Sequence, residues 1–234
     1  FHVGSIAVDL SITKFVVLLW VAALLVIAMG LIGRRIAKNP LSRPSRTVGF
    51  IEVFVLFVRD DIVKEHIGNE GKHLTPYFIS LFLFILFANL LGLIPGSGTT
   101  TGNIAVTAGL SILSFMVVQL EGMRNQGWLA YWKNIVPKGV PLPLWLIMWP
   151  IEFVGLFAKP FALTIRLFAN MTAGHIVIIV LLFLIFKFQA LWIAPLSVLG
   201  ALGVNLLEVF ICLIQAYIFV ALTALFVGLA SHRH

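Results

Sequence analysis

Residues 144–186 read LWLIMWPIEFVGLFAKPFALTIRLFANMTAGHIVIIVLLFLIF, an apolar run broken by few formal charges, those of Glu152, Lys159 and Arg166. A helix crosses the bilayer core with about 20 mostly apolar residues, so this run is about twice one span and must be tilted, kinked or partly interfacial. It does not alternate apolar and polar residues as a membrane β-strand does. Unsatisfied backbone groups in hydrocarbon are costly, and a helix satisfies its own. A second overlong run, Leu191 to Ala230, follows Lys187 and carries Glu208. The two runs set the fold class: an all-α polytopic membrane protein, with two long tilted helices forming a hairpin.

Composition agrees with that reading. Hydrophobic residues make up 61% of the 234 and charged residues 11%, with a mean hydropathy of +1.09, too little charge to coat a soluble surface. The net charge of +7 resides in loops and not on an aromatic-studded face, so nucleic acid is not expected as a partner. The single cysteine, Cys212, excludes an internal disulfide and a cysteine-based metal cluster. No P-loop and no G-x-G-x-x-G motif occurs, so neither a bound nucleotide nor any other cofactor or metal is expected. The sequence begins at Phe1 without an initiator methionine and carries no judgement on a targeting signal.

Working outward, the chain reads as one membrane domain, 1–234. A first span covers 11–32, closed by Gly33-Arg34-Arg35. The basic, proline-containing stretch Lys38 to Arg46 comes next. An apolar burst, Val48 to Val58, is too short to cross and leads into Arg59-Asp60-Asp61 and Lys64-Glu65, the pattern of an amphipathic surface helix over 47–66. A second span covers 76–95 and a third 103–120, joined by a Gly/Thr-rich connector, 96–102. A polar connector, 121–143, containing Pro137, Pro141 and Pro143, precedes the long helices 144–186 and 191–230, for about five crossings in all. Lys and Arg cluster between Arg34 and Lys72, in the 121–143 connector and at Arg233, whereas the opposite side has Lys187 and Lys14. The positive-inside rule then places the N-terminus outside and the C-terminus inside.

At 100° per residue, Glu152, Lys159, Arg166 and Asn170 form one polar stripe on the first long helix. Gly155, Ala162, Ala169 and Ala173 form a small-residue face on which a neighbouring helix is expected to pack closely, and Pro160 is expected to bend the helix. On the last helix Asn205, Glu208, Cys212, Gln215 and Thr223 share a face. Along the axes His175 lies outward of Arg166 by about 13 Å, and Glu208 outward of Gln215 by about 10 Å. Antiparallel packing therefore pairs His175 with Glu208 in depth and sets Arg166 near Gln215. Ionisable residues at membrane depth are functional suspects, and a titratable pair offset from a permanent cation suggests a proton path that does not run straight through.

Arg166-Leu167-Phe168-Ala169-Asn170-Met171 followed by Ala173-Gly174-His175, with Gln215-Ala216-Tyr217-Ile218-Phe219 downstream, resembles subunit a of the rotary F-type ATP synthases. Phe87-Ala88-Asn89-Leu90-Leu91-Gly92-Leu93-Ile94-Pro95-Gly96, Asn103, Val106-Thr107 and Val58-Arg59-Asp60-Asp61-Ile62-Val63 extend the likeness from about Val48 to Ala230. The resemblance implies a non-catalytic stator subunit in an energy-transducing membrane, of the bacterial inner-membrane kind. Its implied partners are a ring of carboxylate-bearing hairpin subunits, peripheral-stalk subunits and membrane lipid. Two offset half-channels would carry protons to and from the ring carboxylates, with no ATP chemistry in this chain. It also implies a proton pathway through Arg166, Glu208 and His175, attended by Asn170, Gln215 and Asn103. Some relatives have an aspartate where Asn103 stands, so more of the proton handling here would fall to Glu208 and His175.

Two other classes compete. A secondary transporter also uses buried charges and broken helices, but such folds commonly show internal repeats, and none is visible here. An intramembrane enzyme would need a nucleophile or a metal-ligand set beside its His and Glu.

Overall fold

The computed structural model describes residues 2–3, 6–7, 13–38, 46–94, 101–133, 142–188 and 192–232. Pro95, residues 96–100 of the Gly/Thr-rich connector, residues 39–45 of the basic stretch, Pro137, Pro141 and Arg233 lie outside the described residues. Among the described residues the fold is all-α apart from a two-residue strand pairing of His2–Val3 with Ile6–Ala7. Among the described residues five helical segments are long and apolar enough to cross a membrane: Lys14–Gly33, Gly71–Gly92, Ile104–Gln126, Leu146–Phe188 and Ile193–Ser231.

Helix α1, Lys14–Lys38, packs on α3, Thr75–Gly92, and leaves Trp20, Leu24, Ile27 and Leu31 exposed. Outward-facing apolar side chains are expected where lipid is the solvent. Helix α3 starts with Pro76 in its first turn, where a missing N–H costs nothing. Its Phe78, Ile85 and Ala88 are fully buried, as are Ala216, Phe219, Val220 and Ala224 of α7, Ile193–His232, against which it packs.

Helix α2, Arg46–Phe57, runs directly into a π-helical turn, Val58–Lys64. The i→i+5 bonding of a π turn brings residues five apart onto one face, so Val58 and Val63, with Ile62, are all buried in the core. The amphipathic segment is therefore built into the bundle along one side. Phe54 and Phe57 meet Phe82 with ring centroids 5.8 and 6.2 Å apart, and Phe57 meets Tyr217 at 5.7 Å. Its outer face carries Arg59 on Asp60 at 2.7 Å and Lys64 on the same carboxylate. The Arg59 guanidinium first, and the Lys64 ammonium second, hold the Asp60 carboxyl well below the usual carboxylate range.

Helix α4, Ile104–Gln126, reaches beyond the expected third span and ends at Gly127, whose φ of +82° is a conformation that suits glycine. Short α5, Trp128–Lys133, follows. At this end of the bundle the helices are tied together. Gln126 Nε2 donates to the Ala230 carbonyl at 2.6 Å, Asn125 Nδ2 to Ser231 Oγ at 2.9 Å, and His73 Nε2 stands 3.0 Å from the buried carboxylate of Glu121. Helix α6, Leu142–Phe188, runs without interruption through Pro150 and Pro160 and packs mainly on α7 and α4.

The backbone around His66 lies so close to α7 that a Cβ on Gly228 would overlap the His66 carbonyl oxygen. Gly228→Ala must push the two segments apart, with an overpacking cost of about 1–3 kcal/mol. Thermal unfolding of the purified variant should begin at lower temperature than for the unaltered protein; an unchanged midpoint would show that this contact is slack.

Candidate functional site

The antiparallel hairpin of α6 and α7 sets the register of every polar group between them. Four contacts run in order along it: Lys159 Nζ over the Phe226 ring at 4.8 Å, Asn170 with Gln215, His175 with Glu208, and Leu181 over Gly200. The pairing of His175 with Glu208 inferred from axial rise is present, and Gln215, expected near the depth of Arg166, bonds Asn170, four residues along α6 from it. Asn170 Nδ2 donates to Gln215 Oε1 at 3.0 Å.

Glu208 is the most isolated of these groups. It is 3% exposed, and neither carboxylate oxygen has a hydrogen bond among the described residues. His175 Nδ1 stands 3.4 Å from Glu208 Oε1, an ion contact long for a hydrogen bond. Both ring nitrogens face backbone carbonyls, Nε2 at 3.2 Å from that of Gly92 and Nδ1 at 3.2 Å from that of Met171, and a neutral ring can donate to one of them. With the Nε2 proton donated to Gly92, Nδ1 faces oxygens alone. A neutral imidazole there can accept a proton from a protonated Glu208, and an imidazolium can donate one to its carboxylate. One proton suffices for the pair, of which the His175 side chain is 32% exposed and that of Glu208 4%.

Gly174 and the backbone of Gly92 make this geometry possible, in roles that residue type alone hardly signals. A Cβ on Gly174 would overlap the Glu208 carboxylate, so Gly174 is the cradle in which that side chain lies. Gly92, at the end of α3, supplies the carbonyl that orients His175. Further polar atoms line the same half of the bundle without hydrogen-bond partners among the described residues: Asn89 Oδ1, Thr101 Oγ1, Thr172 Oγ1 and Gln215 Nε2. Their signal in the sequence was a polar residue inside an apolar span, visible for Asn89 but unremarkable for the threonines. Asn103 stands at the N-cap of α4, its side-chain oxygen accepting from the Ala105 N–H at 2.9 Å, a capping role.

Arg166 contrasts with Glu208. It is exposed and has no hydrogen-bond or ion-pair partner among the described residues. The small-residue face beside it, expected to pack against a helix, is also open: Ala162, Ala169 and Ala173 are exposed, and a Cβ on Gly155 would meet nothing within 4 Å. The chain packs α6 through Leu163, Leu167 and Met171 instead, because these bulky side chains fill the seam with α4 and α7. What remains is an unpartnered face of small residues bordering one guanidinium.

The cradle gives a direct test. In Gly174→Ala the new methyl must displace the Glu208 carboxyl from His175, so ion flux through the reconstituted assembly should fall while the protein level in the membrane is retained. Wild-type flux in this variant would show that the contact has no functional weight.

A family model described as the ATP synthase A chain matches residues 16–228. The chain is 48% identical, over 95% of its length, to ATP synthase subunit a of Chloroherpeton thalassium, of which it covers 67%. Over 97% of its length it is 45% identical to ATP synthase subunit a of Myxococcus xanthus and of Anaeromyxobacter dehalogenans strain 2CP-C, covering 76% and 59% of those proteins. The likeness spans all five apolar helices and takes in both members of every polar contact between α6 and α7, so the chain belongs to the ATP synthase subunit a family.

Proposed function

We propose that this chain is the stator ion-channel subunit of an F-type ATP synthase, carrying protons to and from carboxylates on a rotating ring through two offset half-channels. The observation that carries the proposal is the division of charge along α6. An exposed Arg166, without a partner among the described residues, lies on a face that none of them covers, and nine residues further on, about 13 Å along the axis, His175 meets a buried Glu208. A charge exposed at membrane depth is expensive, so that face calls for a partner bearing the opposite charge. Small side chains at Ala162, Ala169 and Ala173 would let a ring helix approach closely.

In this reading His175 and Glu208 load and unload protons on the side with few Lys and Arg, which the positive-inside rule makes the outside. Polar atoms of Asn89, Thr101, Thr172 and Gln215 that lack protein partners support a hydrated route there, since buried polar groups are otherwise paired or watered. Asn170 and Gln215, bonded to each other, do not titrate and would hold the hairpin and water in register below the pair. Asn103 would act at the entrance as the cap of α4. The peripheral stalk would meet the exposed charged face of the Arg59, Asp60 and Lys64 cluster or the open apolar side of α1.

Arg166 would act as a fixed charge, because a guanidinium keeps its proton even in poor solvent. At about 4 Å and an effective dielectric near 20 its attraction for a ring carboxylate is about 4 kcal/mol, a factor of about a thousand in favour of proton release. A membrane potential of about 100 mV contributes about 2.3 kcal/mol per charge, so the two are comparable and neither can be dispensed with. The same cation repels a proton crossing directly between the half-channels.

Arg166→Ala should therefore assemble but lose both ATP synthesis and ATP-driven pumping in inverted vesicles. Glu208→Gln, which cannot accept and release the proton, should slow both strongly, and His175→Ala less so. Coupled synthesis near the wild-type rate in Arg166→Ala would refute the proposal.

A further inference from the structure

We propose that His175 and Glu208 also form a zinc-binding site, at which the ion bridges α6 and α7. The metal site rests on the geometry of the pair alone, and only its effect on ion flux rests on the proposed function.

The distance between the two groups carries the inference. His175 Nδ1 and Glu208 Oε1 are 3.4 Å apart, whereas a hydrogen bond between nitrogen and oxygen centres on about 2.9 Å. Zinc holds imidazole nitrogen and carboxylate oxygen at about 2.1 Å each with tetrahedral angles, which sets the two donor atoms about 3.4 Å apart. The gap between α6 and α7 is thus the span of a bridging zinc ion. The Met171 carbonyl oxygen, 3.2 Å from the same Nδ1, stands at nearly the same span.

Both donors are prepared for a cation. Glu208 is 3% exposed, and neither carboxylate oxygen has a hydrogen bond among the described residues, although buried acceptors are ordinarily satisfied. His175 has its Nε2 3.2 Å from the Gly92 carbonyl. An imidazole that donates there keeps its Nδ1 lone pair for a metal, and a backbone carbonyl on the second nitrogen is the usual way a metal-binding histidine is oriented. Zinc needs that lone pair and the ionised carboxylate, so its binding excludes a proton from between them. Imidazole also selects the ion, since calcium and magnesium take oxygen ligands.

The number of ligands sets the strength. Among the described residues no third His, Cys, Asp or Glu joins the pair, so the remaining positions fall to water and the Met171 carbonyl. Thr172 Oγ1, buried on the same turn of α6 and without a hydrogen-bond partner among the described residues, can hold one of those waters. A site with positions left to water is open, unlike the closed four-ligand sites that fix a structural ion. The zinc here is therefore an exchangeable inhibitor and not a resident cofactor.

The test uses the whole ATP synthase complex, with zinc binding measured by competition with a chromophoric chelator and ion flux measured in proteoliposomes that have zinc on one side only. The unaltered complex should bind one zinc ion per copy of this chain that Glu208→Gln and His175→Ala bind at least about tenfold more weakly, the smallest loss seen when even a ligand's supporting hydrogen bond is removed. Magnesium at the same concentration should not compete. If those variants fail to assemble, Gly174→Ala decides by the same readout, since it keeps both ligands but displaces the carboxyl. Equal zinc binding by the unaltered and variant complexes, or displacement by magnesium, would overturn the site. Zinc on the outer side should block flux through the unaltered complex. Binding that is lost in the variants, with no block of flux in the unaltered complex, would leave the metal site standing and count instead against the pair's place in the proton path.

Discussion

The contact between Glu208 and His175 is the interaction on which the rest of the hairpin depends. A carboxyl group inside a bilayer must be neutralised or met by a partner, and the whole local architecture serves that meeting. Gly174 lacks the side chain that would block it, Gly92 and Met171 present carbonyls that turn the imidazole, and α6 and α7 lie antiparallel in the register that sets the two side chains 3.4 Å apart. With that register fixed, Asn170 meets Gln215, Lys159 meets Phe226, and Arg166 is left facing away from its own chain.

Packing and function pull on different faces of α6. The side chains that stabilise the fold, Leu163, Leu167 and Met171, are bulky and buried against α4 and α7. The opposite face trades bulk for alanines, which yield little packing within this chain. The small face leaves room for the close approach of another helix, the role proposed for it above. The open apolar side of α1 poses no such question, since lipid covers Leu and Trp at no cost.

Much of this was legible in the residues. Helical class and the long hairpin followed from the length of the apolar runs, and the depth match of His175 with Glu208 followed from axial rise alone. Other features were not legible, for identifiable reasons. The small-residue stripe of Gly155, Ala162, Ala169 and Ala173 looks the same whether its partner is inside or outside the chain, because periodicity locates a face and not its neighbour. The insertion of the Val58–Lys64 segment into the core depends on a π turn that regular 3.6-residue periodicity does not anticipate. The cradle at Gly174 and the carbonyl of Gly92 act through an absent side chain and a backbone atom, which residue-type patterns hardly register. Glu121 looked like the start of a polar connector, yet it is buried near the end of a longer helix and faces His73.

The central claim is that the face of α6 carrying Arg166 and the alanines is completed by a helix of the ring. Oxidative cross-linking measures this most directly: a cysteine at Ala169 or at Met171, each paired with a cysteine beside the ring carboxylate, in otherwise cysteine-free complexes. The account predicts rapid disulfide formation from Ala169→Cys and none from Met171→Cys, which is buried in the seam with α4 and α7. Cross-linking from Met171→Cys, or none from Ala169→Cys, would contradict it.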